Sequence, residues 1–206
     1  MFMPRANSFR QFEAAADRAF RRAIAPAMPE TGMLAATLVE TADGWRAAGT
    51  LARGDRVQTR DGGLAEITRV TRSRLWPAGG ADLVRVPGGA LDNCADLWLA
   101  AGQRVMVASR IAEEVLDAAG VLVAARDLVG FRGTELCRLN HPTALVGLAF
   151  AGQELVFVNS GALVLGAAEG GAGDLDAQLP SLEGARVRAM LELIDGQGVA
   201  AFHRAA

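Results

Sequence analysis

Residues 31–63 read TGMLAATLVETADGWRAAGTLARGDRVQTRDGG, a stretch dense in turn signals that begins where a helical pattern stops. Thr37–Thr41 has the apolar and β-branched content of a strand and ends in the turn Ala42-Asp43-Gly44. Gly54-Asp55 then launches Arg56–Thr59, and Asp61-Gly62-Gly63 has the chemistry of a tight hairpin, since Asp-Gly accepts positive φ at little cost. The strand resumes at Ala65. Ile67 and Val70 stand three apart rather than two, which predicts a bulge or sharp bend that restores the inward face.

The same texture continues downstream. Strands are expected at Asp82–Val86, Leu97–Leu99, Arg104–Ala108, Val121–Ala124, Ala144–Phe150 and Glu154–Val158. One short helix interrupts them, capped by Ser109, with Ile111 and Val115 inward and Gly120 at its end. Glu113 and Glu114 are neighbours on that helix, so their side chains diverge and form no catalytic pair. Past Leu165, GAAEGGAGDLDAQLP reads as a flexible glycine-rich linker, and its single GGAGDLD lacks the copies a calcium-binding repeat needs. Ser181 and Glu183 then open a second helix, whose Val187, Met190, Leu191 and Ile194 form one apolar stripe to dock on the β core.

Upstream, Ser8 and Gln11 have capping-box spacing, and Phe9, Phe12, Ala16, Phe20 and Ile24 recur at helical intervals until Pro26. Three phenylalanines on one short segment need cover from the domain, from a second copy or from an unknown protein partner. Glu13 and Asp17 on the same helix weaken a membrane-surface reading.

Composition narrows the function classes. With 206 residues and 51% hydrophobic content, the chain supports one fair-sized core with terminal additions. The net charge is −2 and every basic residue is arginine. Clusters such as Arg18, Arg21 and Arg22 are diluted by Asp and Glu, so a nucleic-acid partner is not expected. Two cysteines make neither a disulfide scaffold nor a structural zinc site; two free, half-buried thiols and no cofactor are expected. The start of the chain lacks a signal-peptide core and no run reaches membrane-spanning length. A cytoplasmic location is expected, with leaderless export left open.

Taken together, Thr37-Leu38, Asp43-Gly44, Leu51, Gly54-Asp55, Val57, Thr59 and Asp61-Gly62 resemble the first hairpin pair of the Hint fold, the Hedgehog/intein module, in its bacterial Hint-type form. DLWLAAGQRVMV at 96–107 resembles the family's second motif. LVAARDLV at 122–129 resembles the strand and turn that follow, and LVGLAFAGQELVFVNSG at 145–161 the last strand pair. The resemblance implies a mostly-β fold of long bent hairpins with pseudo-twofold symmetry, whose two ends approach. The expected organisation is an N-terminal amphipathic helix at 1–30, a Hint-like β domain at 31–166, a linker at 167–180 and a helical extension at 181–206.

In active members of that family the first residue is a Cys or Ser that attacks the preceding carbonyl, helped by histidines and oxyanion donors. The matching puts Gly32 at the nucleophile. Ala100 and Gln103 stand where the second motif has a hydroxyl residue and a histidine, and Gly147 and Gln153 where the last strand pair has histidines. An amide donates hydrogen bonds but shuttles no proton near neutral pH. The expectation is therefore a catalytically degenerate domain acting as a binding or structural module, with Gln103 beside Gly32 in the old cleft and its amide bonded. An active self-cleaving domain is the alternative.

Three side chains remain as lesser candidates. Asn159-Ser160 looks like a splicing terminus, but Val158 replaces the histidine, and a turn asparagine is the favoured reading. Cys137 and His141, four apart, have the spacing of a thiol–imidazole pair for a Cys/His-dependent enzyme, or of two metal ligands, if helical, against which Pro142 biases His141 toward extended backbone. His203 sits in an apolar tail.

Overall fold

The computed structural model describes residues 28–61, 63–77, 82–170 and 175–204. The predicted helix bearing Phe9, Phe12 and Phe20 lies outside these, as does Gly62 of the expected hairpin. Strands in the described chain are β1 (Met33–Leu34), β2 (Leu38–Thr41), β3 (Gly44–Ala47), β4 (Arg56–Gln58), β5 (Leu64–Glu66), β6 (Arg69–Leu75), β7 (Asp82–Val86) and β8 (Leu97–Leu99). They continue with β9 (Arg104–Ala108), β10 (Gly120–Ala124), β11 (Glu135–Arg138), β12 (Thr143–Phe150), β13 (Leu155–Val158), β14 (Ala162–Leu165) and β15 (Ala167–Ala168). The helices are α1 (Arg110–Leu116), the single-turn α2 (Leu175–Gln178) and α3 (Ala185–Arg204).

Two curled sheets enclose the core. One runs β11-β7-β8-β1-β12-β15, with β6 on the other side of β12; the other runs β10-β9-β14-β13-β2-β4-β5, with β3 paired to β2. Pairing is antiparallel except for β12 with β15, which is parallel. The mostly-β architecture expected from the turn chemistry is therefore the one observed.

The Gly54-Asp55 and Asp43-Gly44 steps fall where expected. The Asp55 carboxylate accepts the Ala52 N–H at 2.9 Å and pairs with Arg46 at 3.1 Å, and that backbone bond followed by Arg46 holds its pKa below the usual carboxylate value. β4 and β5 close as a hairpin with Gln58 opposite Leu64. The bend predicted at Ile67–Val70 is not a bulge within one strand but a crossing between sheets. Fully buried Ile67 still bonds across to Gly54 and Asp55, whereas the Thr68 N–H donates to Ala149 of β12 at 2.9 Å. A chain that leaves one sheet for the other re-aims its side chains, which accounts for the broken alternation.

Other expectations are corrected at element ends. Ser109 caps α1, its hydroxyl accepting the Ile111 N–H, but α1 ends at Asp117 in the left-handed region (φ 52°) and not at Gly120. Gly120 opens β10, where a Cβ would lie 2.7 Å from the Val107 carbonyl oxygen. Ile111 and Ala112 face the core, while Val115, expected inward, is exposed. At the end of the segment read as a flexible linker, Leu175 and Leu179 are buried against Met106, Leu122 and Leu155. Ser181 opens no helix; it bridges to Leu122, and α3 starts at Ala185 after Gly184 turns the chain. Val187, Met190, Leu191 and Ile194 join the same core cluster as β2, β8 and β12. No described helix is long and apolar enough to cross a membrane.

Candidate functional site

The site is built where the domain begins. Met33 of β1 lies between Val146 of β12 and Leu99 of β8. Ahead of it the chain bends at Glu30 and Thr31 and follows the turn that leads from β8 to β9: the Gly32 carbonyl accepts the Ala100 N–H and the Glu30 carbonyl accepts the Gly102 N–H, both at 2.9 Å. Outside this strip, the Glu30 carboxylate pairs with Arg126 at 2.8 Å.

Gln103 enters from the same turn. Its backbone is pinned twice, its N–H donating to Ala100 and its carbonyl accepting from Ala125. Only 4% exposed, its side chain accepts the Gly32 N–H on Oε1 at 2.8 Å. Its Nε2 donates to the carbonyls of Leu165 at 2.8 Å and Arg104 at 3.0 Å. Leu165 closes β14, and two residues later β15 joins β12 beside the β1 pairing. One amide therefore ties the first residue of the β domain to its last strand pair, with the amide hydrogens and the oxygen all used.

Gly32 occupies a backbone conformation closed to most residues. Its φ is 131°, and a Cβ there would meet the Val146 carbonyl oxygen at 3.3 Å and the Leu145 Cβ at 3.4 Å. Gly147 is different. It stands on β12 opposite Thr71, whose Cβ a Cβ there would meet at an ordinary 3.9 Å, and lines a cleft of about 380 Å³ together with Thr31, Thr71, Ser73, Gln103 and Leu165. Ala100 is fully buried behind Gly32. Gln103 and Gly147 line this cleft, and hydrogen bonds join Gly32 and Ala100 to Gln103 without making either a wall of it. Gln153 is not among the cleft's walls; it sits in the turn between β12 and β13, its side-chain oxygen buried without a partner.

Asn159 belongs to another structure. With Ser160 it forms the β13–β14 turn, both in the left-handed region (φ 44° and 72°). Its side-chain oxygen accepts the Leu38 N–H at 3.0 Å, while Nδ2 donates to Ala95 at 3.3 Å and Asp96 at 3.2 Å. Asn159 therefore fastens the loop before β8 to β2 and to its own turn. Asn159→Asp removes both donors and turns a carboxylate toward two carbonyl oxygens, which is expected to cost about 2–3 kcal/mol. Urea unfolding at neutral pH measures it; an unchanged midpoint would contradict the role.

Cysteine chemistry finds no assembled partner. Cys137 lies half-buried on β11, where burial first and then Glu135 push its thiol above the ordinary value, opposite to what a nucleophile needs. His141 is exposed beyond that strand, its Nδ1 against the Asn140 side chain. Cys94, expected half-buried, is exposed, with its sulfur 3.3 Å from the Ser160 hydroxyl. His203 falls in the last turn of α3. Among the described residues, no three His, Cys, Asp or Glu side chains group to hold a metal.

Sequence reading missed Glu30, Arg126 and Leu165. Glu30 and Arg126 are 96 residues apart with no local signal joining them, and Leu165 contributes only its carbonyl, which any residue supplies.

Residues 31–163 match the family model of the Hint domain. No curated protein sequence matches the chain. Among solved structures it is similar to a splice-inactive variant of the AceL NrdHF class 3 split intein, at 13% identity and TM-score 0.47, covering 68% of this chain and 99% of that one. A bacterial intein-like domain from Clostridium thermocellum aligns at 13% identity and TM-score 0.48, over 66% of this chain and 99% of that one. The gp41-1 intein aligns at 11% identity and TM-score 0.41, over 68% and 99%. The family match begins at Thr31, one residue ahead of the Gly32–Gln103 contact, and spans most of the two sheets; the chain belongs to the Hint domain family.

Proposed function

We propose that this Hint domain no longer cleaves its own chain and serves as a non-catalytic module that holds its two ends side by side. The observation that carries the reading is Gly32: the position matched to the nucleophile has no side chain and a φ of 131°. Acyl transfer to a side chain needs a thiol or hydroxyl at that residue and a base to take its proton. The side chain nearest to a base's place is Gln103, which neither gains nor loses a proton near neutral pH and is committed to three hydrogen bonds. A holding role uses those bonds directly. They join the entry strip at Gly32 to the exit of β14 without any chemistry.

Intact mass after prolonged incubation, with and without a thiol, tests this. A single full-length species is expected in both conditions. A fragment that accumulates from a break at Thr31–Gly32, or beside Asn159, would overturn the reading and restore the self-cleaving alternative.

A further inference from the structure

The described surface leaves one apolar area next to the point where residues 1–27 join it. α3 packs against α1, against the helical turn Ala125–Leu128 and against the turn Phe131–Gly133. On these contiguous elements, Val115 is 61% exposed, Leu193 53% and Val129, directly after the Ala125–Leu128 turn, 48%, with Leu116 also exposed. Val115 follows Ile111 by one helical turn, so the buried stripe of α1 continues outward without cover.

Charge and tether both point to one occupant. The later part of α1 and its cap carry Glu113, Glu114 and Asp117, and α3 adds Glu192, whereas Arg110, Arg186 and Arg188 stand at the starts of the two helices. Residues 1–27 carry five arginines against two acids, together with Phe9, Phe12 and Phe20. Glu30 is fixed to Arg126 on the Ala125–Leu128 turn, and Met28 next to it is exposed. The helical spacing read from the sequence stops at Pro26, which three residues separate from that anchor, a reach of at most about 11 Å. Such a short tether gives the segment an effective concentration on the order of millimolar at the neighbouring surface, well above that of a second copy in dilute solution.

We propose that residues 8–26 dock in cis as an amphipathic helix on the face formed by α1, α3 and Val129, their phenylalanines covering Val115 and Leu193 and their arginines facing the acids of α1. This is independent of whether the cleft retains chemistry. The test is hydrogen–deuterium exchange on the full chain, with Val115→Ser/Leu193→Ser and Phe12→Ser/Phe20→Ser as variants. Both altered positions on the described surface are already exposed, so the β core keeps its exchange rates in the first variant and serves as the control for folding. Amides of residues 8–26 are expected to be protected at least ~10-fold at any protein concentration, and to lose that protection in both variants. Absence of protection in the parent chain would overturn the proposal. So would protection that survives Val115→Ser/Leu193→Ser. Protection that grows with concentration, alongside a dimer mass by light scattering, would assign the face to a second copy and overturn docking in cis.

Discussion

A chain ended at Gly184, without α3, is expected to lose its cooperative thermal transition and to bind a dye for exposed apolar surface. α3 is no appendage to the β domain. Val187, Met190, Leu191 and Ile194 are each at most 7% exposed and belong to the one large core cluster that also holds Val39, Leu97, Leu99 and Phe150. Burying four such side chains is worth on the order of 8 kcal/mol at about 2 kcal/mol each, an upper figure because unfolded chains are partly compact. That is the size of a whole domain's net stability. Removal also uncovers the surfaces they meet, Ile111 and Ala112 of α1 and Phe131 among them. Calorimetry of the full and shortened chains decides. A shortened chain melting within about 3 °C of the full one would mean that the β sheets close their core unaided, since even 1 kcal/mol moves a domain of this size by about 2–4 °C.

The same helix shows what a sequence can and cannot disclose. Its buried stripe was legible because periodicity is local, and so were Gly54-Asp55, the pairing of β4 with β5 and the Ser109 cap, where one or two side chains dictate the turn. β6 was not. Its residues RVTRSRL place arginines at 69, 72 and 74, yet it makes the longest ladder of the fold, Arg69 to Leu75 against Ala149 to Thr143. Backbone hydrogen bonds to partners 68 to 80 residues away carry that strand, and no alternation announces them. Val115 was misread for the converse reason: it repeats at helical spacing from Ile111, but α1 outruns the cover above it. Leu175 and Leu179, read as part of a linker because glycines nearby signal freedom, find a groove formed by residues far away in the chain. In the candidate site, the pairing of Gly32 with Gln103 was legible only through the resemblance, since neither residue alone suggests chemistry. That the glycine has a φ of 131° is a property of the packed strip at 30–33 and has no sequence signature beyond glycine itself.

Replacing Gln103 is expected to destabilise the domain in the order Glu, then Leu, then His, with the first effect among the largest of any single substitution. The amide presents an acceptor to the Gly32 N–H and donors to the carbonyls of Leu165 and Arg104, in a site 4% exposed. Gln103→Glu keeps the shape and removes both donors. Ionised, it sets a buried charge against two carbonyl oxygens; neutral, it has one O–H for two acceptors, so a loss of about 4 kcal/mol or more is expected. Burial raises such a carboxyl's folded-state pKa above its unfolded value, so the variant is steadiest at low pH and loses stability as pH rises through the raised pKa. Gln103→Leu leaves the three backbone groups unpartnered without adding charge, for about 2–4 kcal/mol. Gln103→His restores the residue type that the family uses at the matched position. A neutral imidazole offers one donor and one acceptor, enough for Gly32 and one carbonyl, and the expected loss is about 1–2 kcal/mol. Urea midpoints of the three variants at neutral pH, with the Glu variant repeated at acid pH, give the ranking and its sign. Equal, small losses for all three would mean that the tie between Gly32 and Leu165 holds nothing, and the holding role proposed for this domain would fall with it.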